Sequence, residues 1–165
     1  MSRKTSKTAE ELMAELNSNP DFLRRQAERE ERANEREHRI RTLERPVLDS
    51  LRARGFDAPS ITDAVKMYSP LSNEIVDVFL DSVNKTADVK LLETLIRGLG
   101  AAARSFDGRP LVRCYESCHD DNLQWVITNT IALARPHSID DWMEKFLRDP
   151  SREKIFRELS SDNDK

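Results

Sequence analysis

Apolar residues are sparse over the first forty positions and periodic after them. Leu12, Met13 and Leu16 share one face of a short helix that opens at a T-x-x-E capping box, Thr8 to Glu11, and runs to about Asn17. Asn19 as N-cap and Pro20 in the first turn, where a missing N–H costs nothing, start a second helix, with Asp21 placed to favour its dipole. Its apolar stripe is faint at Phe22, Leu23 and Ala27 and strengthens at Ile40, Leu43, Val47, Leu48 and Leu51. The pattern predicts a solvated helix that enters a globular body near its end. Pro46 falls inside it, so the sequence predicts a kink or a restart there. Beyond Gly55, a C′ glycine, punctuation by Pro59, Pro70, Asp107-Gly108, Pro110, Pro136 and Pro150 separates helical patterns over 46–54, 61–68, 72–83, 87–103, 109–118, 122–135, 139–148 and 151–160. Ser60 with Asp63, Ser138 with Asp141 and, more weakly, Asp121 with Gln124 read as capping boxes, and Asp149-Pro150 as a helix start. No alternating apolar run stands between turn signals, so the fold class is all-α. The chain divides into a tail and short helix (1–19), a long charged helix (20–45), a helical body (46–160) and a polar tail (161–165).

Charge supports the long helix. Residues 21–45 hold 15 Asp, Glu or Arg among 25 positions, and Arg24 with Glu28, Glu28 with Arg32, Glu35 with Arg39 and Glu37 with Arg41 are i,i+4 pairs. Each such pair contributes a few tenths of a kcal/mol to an isolated helix. Self-association of 20–45 as a coiled coil is the sharper reading, yet between 28 and 39 only Ala33 is an apolar residue for a and d positions.

Shifting the chain by 34 residues lays 88–100 on 122–134, with Leu91 on Trp125, Leu92 on Val126, Thr94 on Thr128, Gly98 on Ala132, Leu99 on Leu133 and Gly100 on Ala134. The helices between them repeat too. Ile75, Val76, Phe79 and Leu80 match Trp142, Met143, Phe146 and Leu147, and Leu111, Val112 and Tyr115 take the same i, i+1, i+4 places. Glycine inside a helix is costly, and a close approach by a neighbouring helix is the usual reason to keep it at Gly98 and Gly100. A two-helix unit of about this period predicts an α-solenoid. Asn122, Gln124, Trp125, Asn129, Ala132 and Leu133 give residues 68–160 a sequence that resembles the HEAT-like repeat family, in particular its small bacterial members. Leu92 and Val126 stand where that family usually carries an arginine. The resemblance implies a curved stack of helix pairs that most often binds proteins, with a minority of the superfamily acting on DNA bases or bilins.

Composition narrows the function classes. The hydrophobic share is 38% and the formal net charge −3, with 16 basic against 20 acidic side chains over 46–165. That balance disfavours a dedicated nucleic-acid binder. No apolar run of the length needed to span a bilayer and no secretory leader is read, so the expected location is the cytoplasm. Cys114, Cys118 and His119, beside Asp120 and Asp121, form the best metal candidate, but two reduced core thiols explain them more simply; no cofactor is expected. Cys118 with His119 as base makes a weaker catalytic candidate, because consecutive residues point apart. His38 and His137 read as surface residues. Trp125 and Trp142, with Asp121, Asp140 or Asp141, would suit a base-excision site, yet each tryptophan aligns with an aliphatic position, so core packing is the expectation. Arg97, Arg104, Arg109, Arg113 and Arg135 could form a basic patch.

These readings converge on a non-enzymatic scaffold that binds another protein. Its contact face is expected on exposed members of 72–83, 109–118 and 139–148, the second helices of the pairs: Asp77, Asp81, Arg113, Glu116, Glu144 and Lys145. The competing readings are a HEAT-like DNA-binding or base-excision protein and an immunity- or antitoxin-type inhibitor.

Overall fold

The computed structural model describes residues 8–149; the tails at 1–7 and 161–165 and the helix expected over 151–160 lie outside the described residues. Eight helices make up that span: α1 (Ala9–Asn17), α2 (Pro20–Arg52), α3 (Ile61–Tyr68), α4 (Asn73–Lys85), α5 (Val89–Leu99), α6 (Arg109–Ser117), α7 (Asp121–Ala134) and α8 (Asp140–Arg148). Among the described residues there is no sheet, only two isolated parallel bridges. The class is all-α.

Two compact units meet within α2, one ending at Thr42 and one beginning at Leu43. In the first, the side chain of Asn19 caps α2 by accepting from the amides of Asp21 and Phe22, at 3.0 and 3.3 Å. Every residue from Leu23 to Thr42 is exposed. Glu28–Arg32 and Glu37–Arg41 pair at 3.6 and 2.6 Å, while Arg24 pairs with Asp21 at 3.1 Å. Pro46 neither ends nor restarts α2, which is one helix of 33 residues. Pro46 is exposed, and so is Thr42, whose carbonyl loses its helical donor to the proline, so no buried bond is sacrificed.

In the second unit, α2 stops in a Schellman motif. Gly55 adopts φ +87°, its amide donates to Arg52, and the amide of Phe56 donates to Leu51, both at 3.0 Å. The start of α3 is capped twice. Ser60 Oγ accepts from the amide of Asp63 at 3.0 Å, as the capping box predicts, and its hydroxyl donates to the Asp63 carboxylate at 2.6 Å. Glu44 of α2 reaches across and accepts from the amide of Ile61 at 3.3 Å. Glu44 is only 6% exposed, and burial pushes its pKa up, against the hydrogen bond from Ile61, with Asp63 adding to the rise. An acid whose pKa is higher in the native than in the unfolded state loses native stability as pH rises from the ordinary carboxylate value through the raised one. Stability is therefore expected to increase as pH falls through that window. Glu44→Gln, which keeps the acceptor for Ile61 and removes the charge, should flatten this part of a urea-denaturation pH profile; an unchanged profile would contradict it.

Helices α4, α6 and α8 form one row and α3, α5 and α7 the other. Contacts run α4·α6, α3·α5 and α5·α7 along the rows and α4·α5 and α6·α7 between them. Side chains of α8 meet α6 through Tyr115, Trp142 and Phe146. The hairpins α4–α5 and α6–α7 are built alike. Each has a three-residue joint and an aspartate N-cap on its second helix: Asp88 accepts from Lys90 and Leu91, and Asp120 from Leu123. The chain entering each hairpin also pairs with the chain leaving it. Leu71 bridges Ala102 through Leu71 N–H to Ala101 O (2.8 Å) and Ala103 N–H to Leu71 O (2.9 Å). Asp107 bridges His137 through His137 N–H to Phe106 O (2.9 Å) and Gly108 N–H to His137 O (3.0 Å). These bonds explain why the segment expected to be helical to 103 leaves the helix at Leu99: its last residues pair with Leu71 instead.

Two expected caps differ. Asp120, not Asp121, caps α7, and Gln124 donates its side-chain amide to Cys118 O at 2.8 Å. Ser138 stands at φ 66°, outside the geometry of an N-cap, and the N-cap of α8 is Ile139, which makes no side-chain cap bond.

The register differs from the 34-residue frame. Matching the capping aspartates shifts α5 onto α7 by 32 residues, from Asp88 to Asp120, and pairs Leu91 with Leu123, Leu95 with Ile127, Ile96 with Thr128 and Leu99 with Ile131, all buried. Helix α7 has 14 residues against 11 in α5, so the frame drifts between the two ends and 34 is a compromise. In the other row, Ile75, Leu111 and Trp142 correspond, as do Phe79, Tyr115 and Phe146, and the positions two after the first set, Asp77, Arg113 and Glu144, are all exposed.

Candidate functional site

Two open clefts flank α6. The larger, about 710 Å³, lies between the joints of the two hairpins, where Val83, Val89, Leu92, Pro110 and Leu123 give it apolar walls and Asn84, Arg113, Cys114, Cys118 and His119 a polar rim. The smaller, about 520 Å³, lies between the starts of α6 and α8, with Arg109, Val112, Arg113, Asp140, Asp141 and Trp142 on its walls. Arg113 lines both, and its guanidinium donates to Asn84 Oδ1 of α4 at 3.2 Å.

The residues proposed from sequence as a contact face sit on one row and point outward. Asp77 and Asp81 are exposed on α4, Arg113 and Glu116 on α6, Glu144 and Lys145 on α8. Asp81 is paired with Lys85 and Glu144 with Arg148, both one turn away on their own helices. Of the six, Arg113 alone borders a cleft.

Trp125 departs from expectation. It is 41% exposed rather than packed in the core, because the true register places it opposite Glu93 on the outer face of its row and puts Leu123 where Leu91 packs. The Arg97 guanidinium lies over its ring, 5.6 Å from the centroid. Arg97 in turn binds the Glu93 carboxylate at 3.0 Å, and Lys90 binds the other carboxylate oxygen at 3.1 Å. These two bases, Arg97 first, hold the Glu93 pKa below its ordinary value against a smaller burial effect. The exposed large apolar side chains described in the body are Met67, Val89, Trp125, Leu133 and Leu147, and four of these five belong to the α3–α5–α7 row. Sequence comparison alone missed this face, although one signal was present: α7 carries apolar residues on every side, which a helix covered on one face does not need. Trp142 is half-buried, edge-on to Tyr115 and stacked on Phe146.

The thiols Cys114 and Cys118 are free and half-buried, and both face the larger cleft. Burial pushes the Cys114 thiol up, with Cys118 adding to it. Among the described residues no group of three or more His, Cys, Asp or Glu side chains is placed to hold a metal ion, so Cys114, Cys118 and His119 do not assemble into the candidate centre. Of the five arginines, Arg109 and Arg113 line the smaller cleft together. Arg97 belongs to α5 and is held by Glu93, whereas Arg109 belongs to α6 and clasps Asp107 with two nitrogens, at 2.9 and 2.6 Å. That clasp holds the Asp107 carboxyl down at about 2. Arg104 and Arg135 are exposed in the joints, as is His137, whose Nδ1 lies 3.4 Å from Ser105 Oγ. No helix among the described residues is long and apolar enough to cross a membrane.

Comparison with protein-family models, with curated proteins and with solved structures finds no match.

Proposed function

We propose that residues 43–149 are a HEAT-like repeat module, a short α-solenoid, and that it works without catalysis by binding another protein on the α3–α5–α7 face. The carrying observation is Trp125, a large aromatic residue left 41% exposed beneath an arginine, on the row of helices that also carries exposed Met67, Val89 and Leu133. Exposed apolar residues gathered on one face mark interaction surfaces, and tryptophan and arginine are the residue types that most often anchor protein interfaces. The repeat reading is supported by two hairpins with equal joints, equivalent aspartate caps and the same main-chain bridge closing each. In such a stack each hairpin buries its apolar face only against its neighbours, leaving the outer faces of the rows for a partner.

A second reading places the partner on the α4–α6–α8 row, over Asp77, Asp81, Arg113, Glu116, Glu144 and Lys145, and it draws on Arg113 bordering both clefts. One experiment separates the two. The tagged full chain is used to capture its partner from lysate of the source cells, and affinity is then compared for Trp125→Ala and Arg113→Glu. Loss of roughly tenfold or more with Trp125→Ala and little change with Arg113→Glu is expected; the reverse pattern moves the interface to the other row. Recovery of nucleic acid alone, vanishing as salt rises, would replace both with the DNA-directed reading.

A further inference from the structure

We infer that Cys114 and Cys118 are a dithiol modification site, open to thiol–disulfide exchange with a low-molecular-weight disulfide that enters the larger cleft. Both thiols are free and half-buried, and both line that cleft. Cys114 lies within α6, and Cys118 is its C-cap residue with an extended backbone, φ −91° and ψ 138°. Four residues of helix put the two Cα atoms roughly 6 Å apart, within the Cα range of a disulfide, and the Cβ atoms about 5–6 Å apart, so closure draws the Cβ atoms in by about 1–2 Å through a shift of the chain at Cys118. No helical turn follows Cys118, whose backbone is already extended. Its Sγ accepts from the amide of Asp120 at 3.3 Å and its S–H donates to the Asp120 carbonyl at 3.6 Å, tying the thiol to the residue that caps α7.

The two sulfurs have different parts. Cys114 is the more protected: burial pushes its thiol up, and the neighbouring Cys118 adds to the effect. Cys118, at the rim beside His119, is the sulfur that attacks first. Its thiolate displaces one thiolate from a disulfide such as glutathione disulfide and forms a mixed disulfide. The thiolate of Cys114 then attacks Cys118 Sγ, the protein disulfide forms, and the second small thiolate leaves. The two protein thiol protons pass to solvent or to the departing thiolates, and the two electrons reduce one small disulfide to two thiols. Closure removes the Cys118 S–H donor to Asp120, so the oxidised state alters the joint between α6 and α7 that borders the cleft.

The test uses the reduced full chain and glutathione disulfide, followed by intact mass and peptide mapping. The wild-type chain should lose two hydrogens, retain no glutathione, and show Cys114 joined to Cys118 within one chain. Cys114→Ser and Cys114→Ala should both stop at glutathione bound to Cys118, whereas Cys118→Ser should react roughly tenfold more slowly than either. Using two replacements at Cys114 separates loss of the resolving thiol from a packing defect. Glutathione retained by the wild-type chain, disulfides only between chains, or equal rates for Cys118→Ser and Cys114→Ser would overturn the inference.

Discussion

Gly98→Val is expected to cost upwards of about 3 kcal/mol and to lower Tm by roughly 10 °C or more. A Cβ at Gly98 would stand 2.7 Å from Phe79 Cε2 and 2.9 Å from Val65 Cγ2. These atoms come from α4 and α3, so Gly98 is where both neighbours press on α5. Phe79 is fully buried, and neither its ring nor the branched Val65 is a flexible end that can swing aside. Alanine at this site should cost about 1–3 kcal/mol through overpacking, offset by about 1 kcal/mol of helix propensity gained on losing glycine. Thermal unfolding of both variants, alone and with Phe79→Leu, checks the cause. If the ring is the obstacle, Gly98→Ala must cost less in the Phe79→Leu background. Equal costs in both backgrounds would place the conflict elsewhere. Gly100, by contrast, has only its own Arg97 carbonyl as a close neighbour at 3.1 Å, so the close-approach argument applies to one of the two glycines.

The legible parts of this fold were those set by local chemistry. Asn19, Ser60 and Gly55 announce helix ends because capping and positive φ depend on one or two residues and their own backbone. The inward-facing set on α4, α6 and α8 was also readable, since Ile75 and Phe79, Leu111 and Tyr115, and Trp142 and Phe146 repeat with the same spacing. What failed was register across a length difference. The sequence match of Leu91 to Trp125 treated α5 and α7 as equal, whereas α7 is three residues longer, and burial is fixed by the capped end at which both helices begin. That misplacement hid Trp125, the residue around which the proposed contact face is built. Ser138 shows a different limit. Its spacing to Asp141 satisfies the capping pattern, but pairing of His137 with Phe106 and Gly108 sets the backbone there, and φ 66° carries the hydroxyl away from the cap. A tertiary constraint overrides a local signal in that joint, and nothing in the four residues reveals it.

Tyr115→Ala is expected to cost about 3–5 kcal/mol and to release α8 before the rest of the body unfolds. Phe146 is the one buried residue of α8, and it packs on two rings, Tyr115 at 5.7 Å and Trp142 at 4.8 Å between centroids, with Tyr115 also 5.4 Å from Trp142. Tyr115 is 6% exposed and belongs to α6, so it is the member of the trio that joins α8 to its row. Edge-to-face pairs add about 0.5–1.5 kcal/mol each beyond the area they bury, and truncating Tyr115 removes two while leaving the stacked pair on α8 without its wall. The start of α8 gives little compensation, because it has no side-chain cap and follows a residue at positive φ. Hydrogen exchange should therefore show protection lost over α8 at native conditions, with α4 and α5 still protected. Tyr115→Phe, which keeps the ring contacts, should retain α8. Uniform loss of protection across the body in Tyr115→Ala would instead make α8 part of one cooperative unit with the hairpins, and the trio a share of the common core rather than the tether of a separable helix.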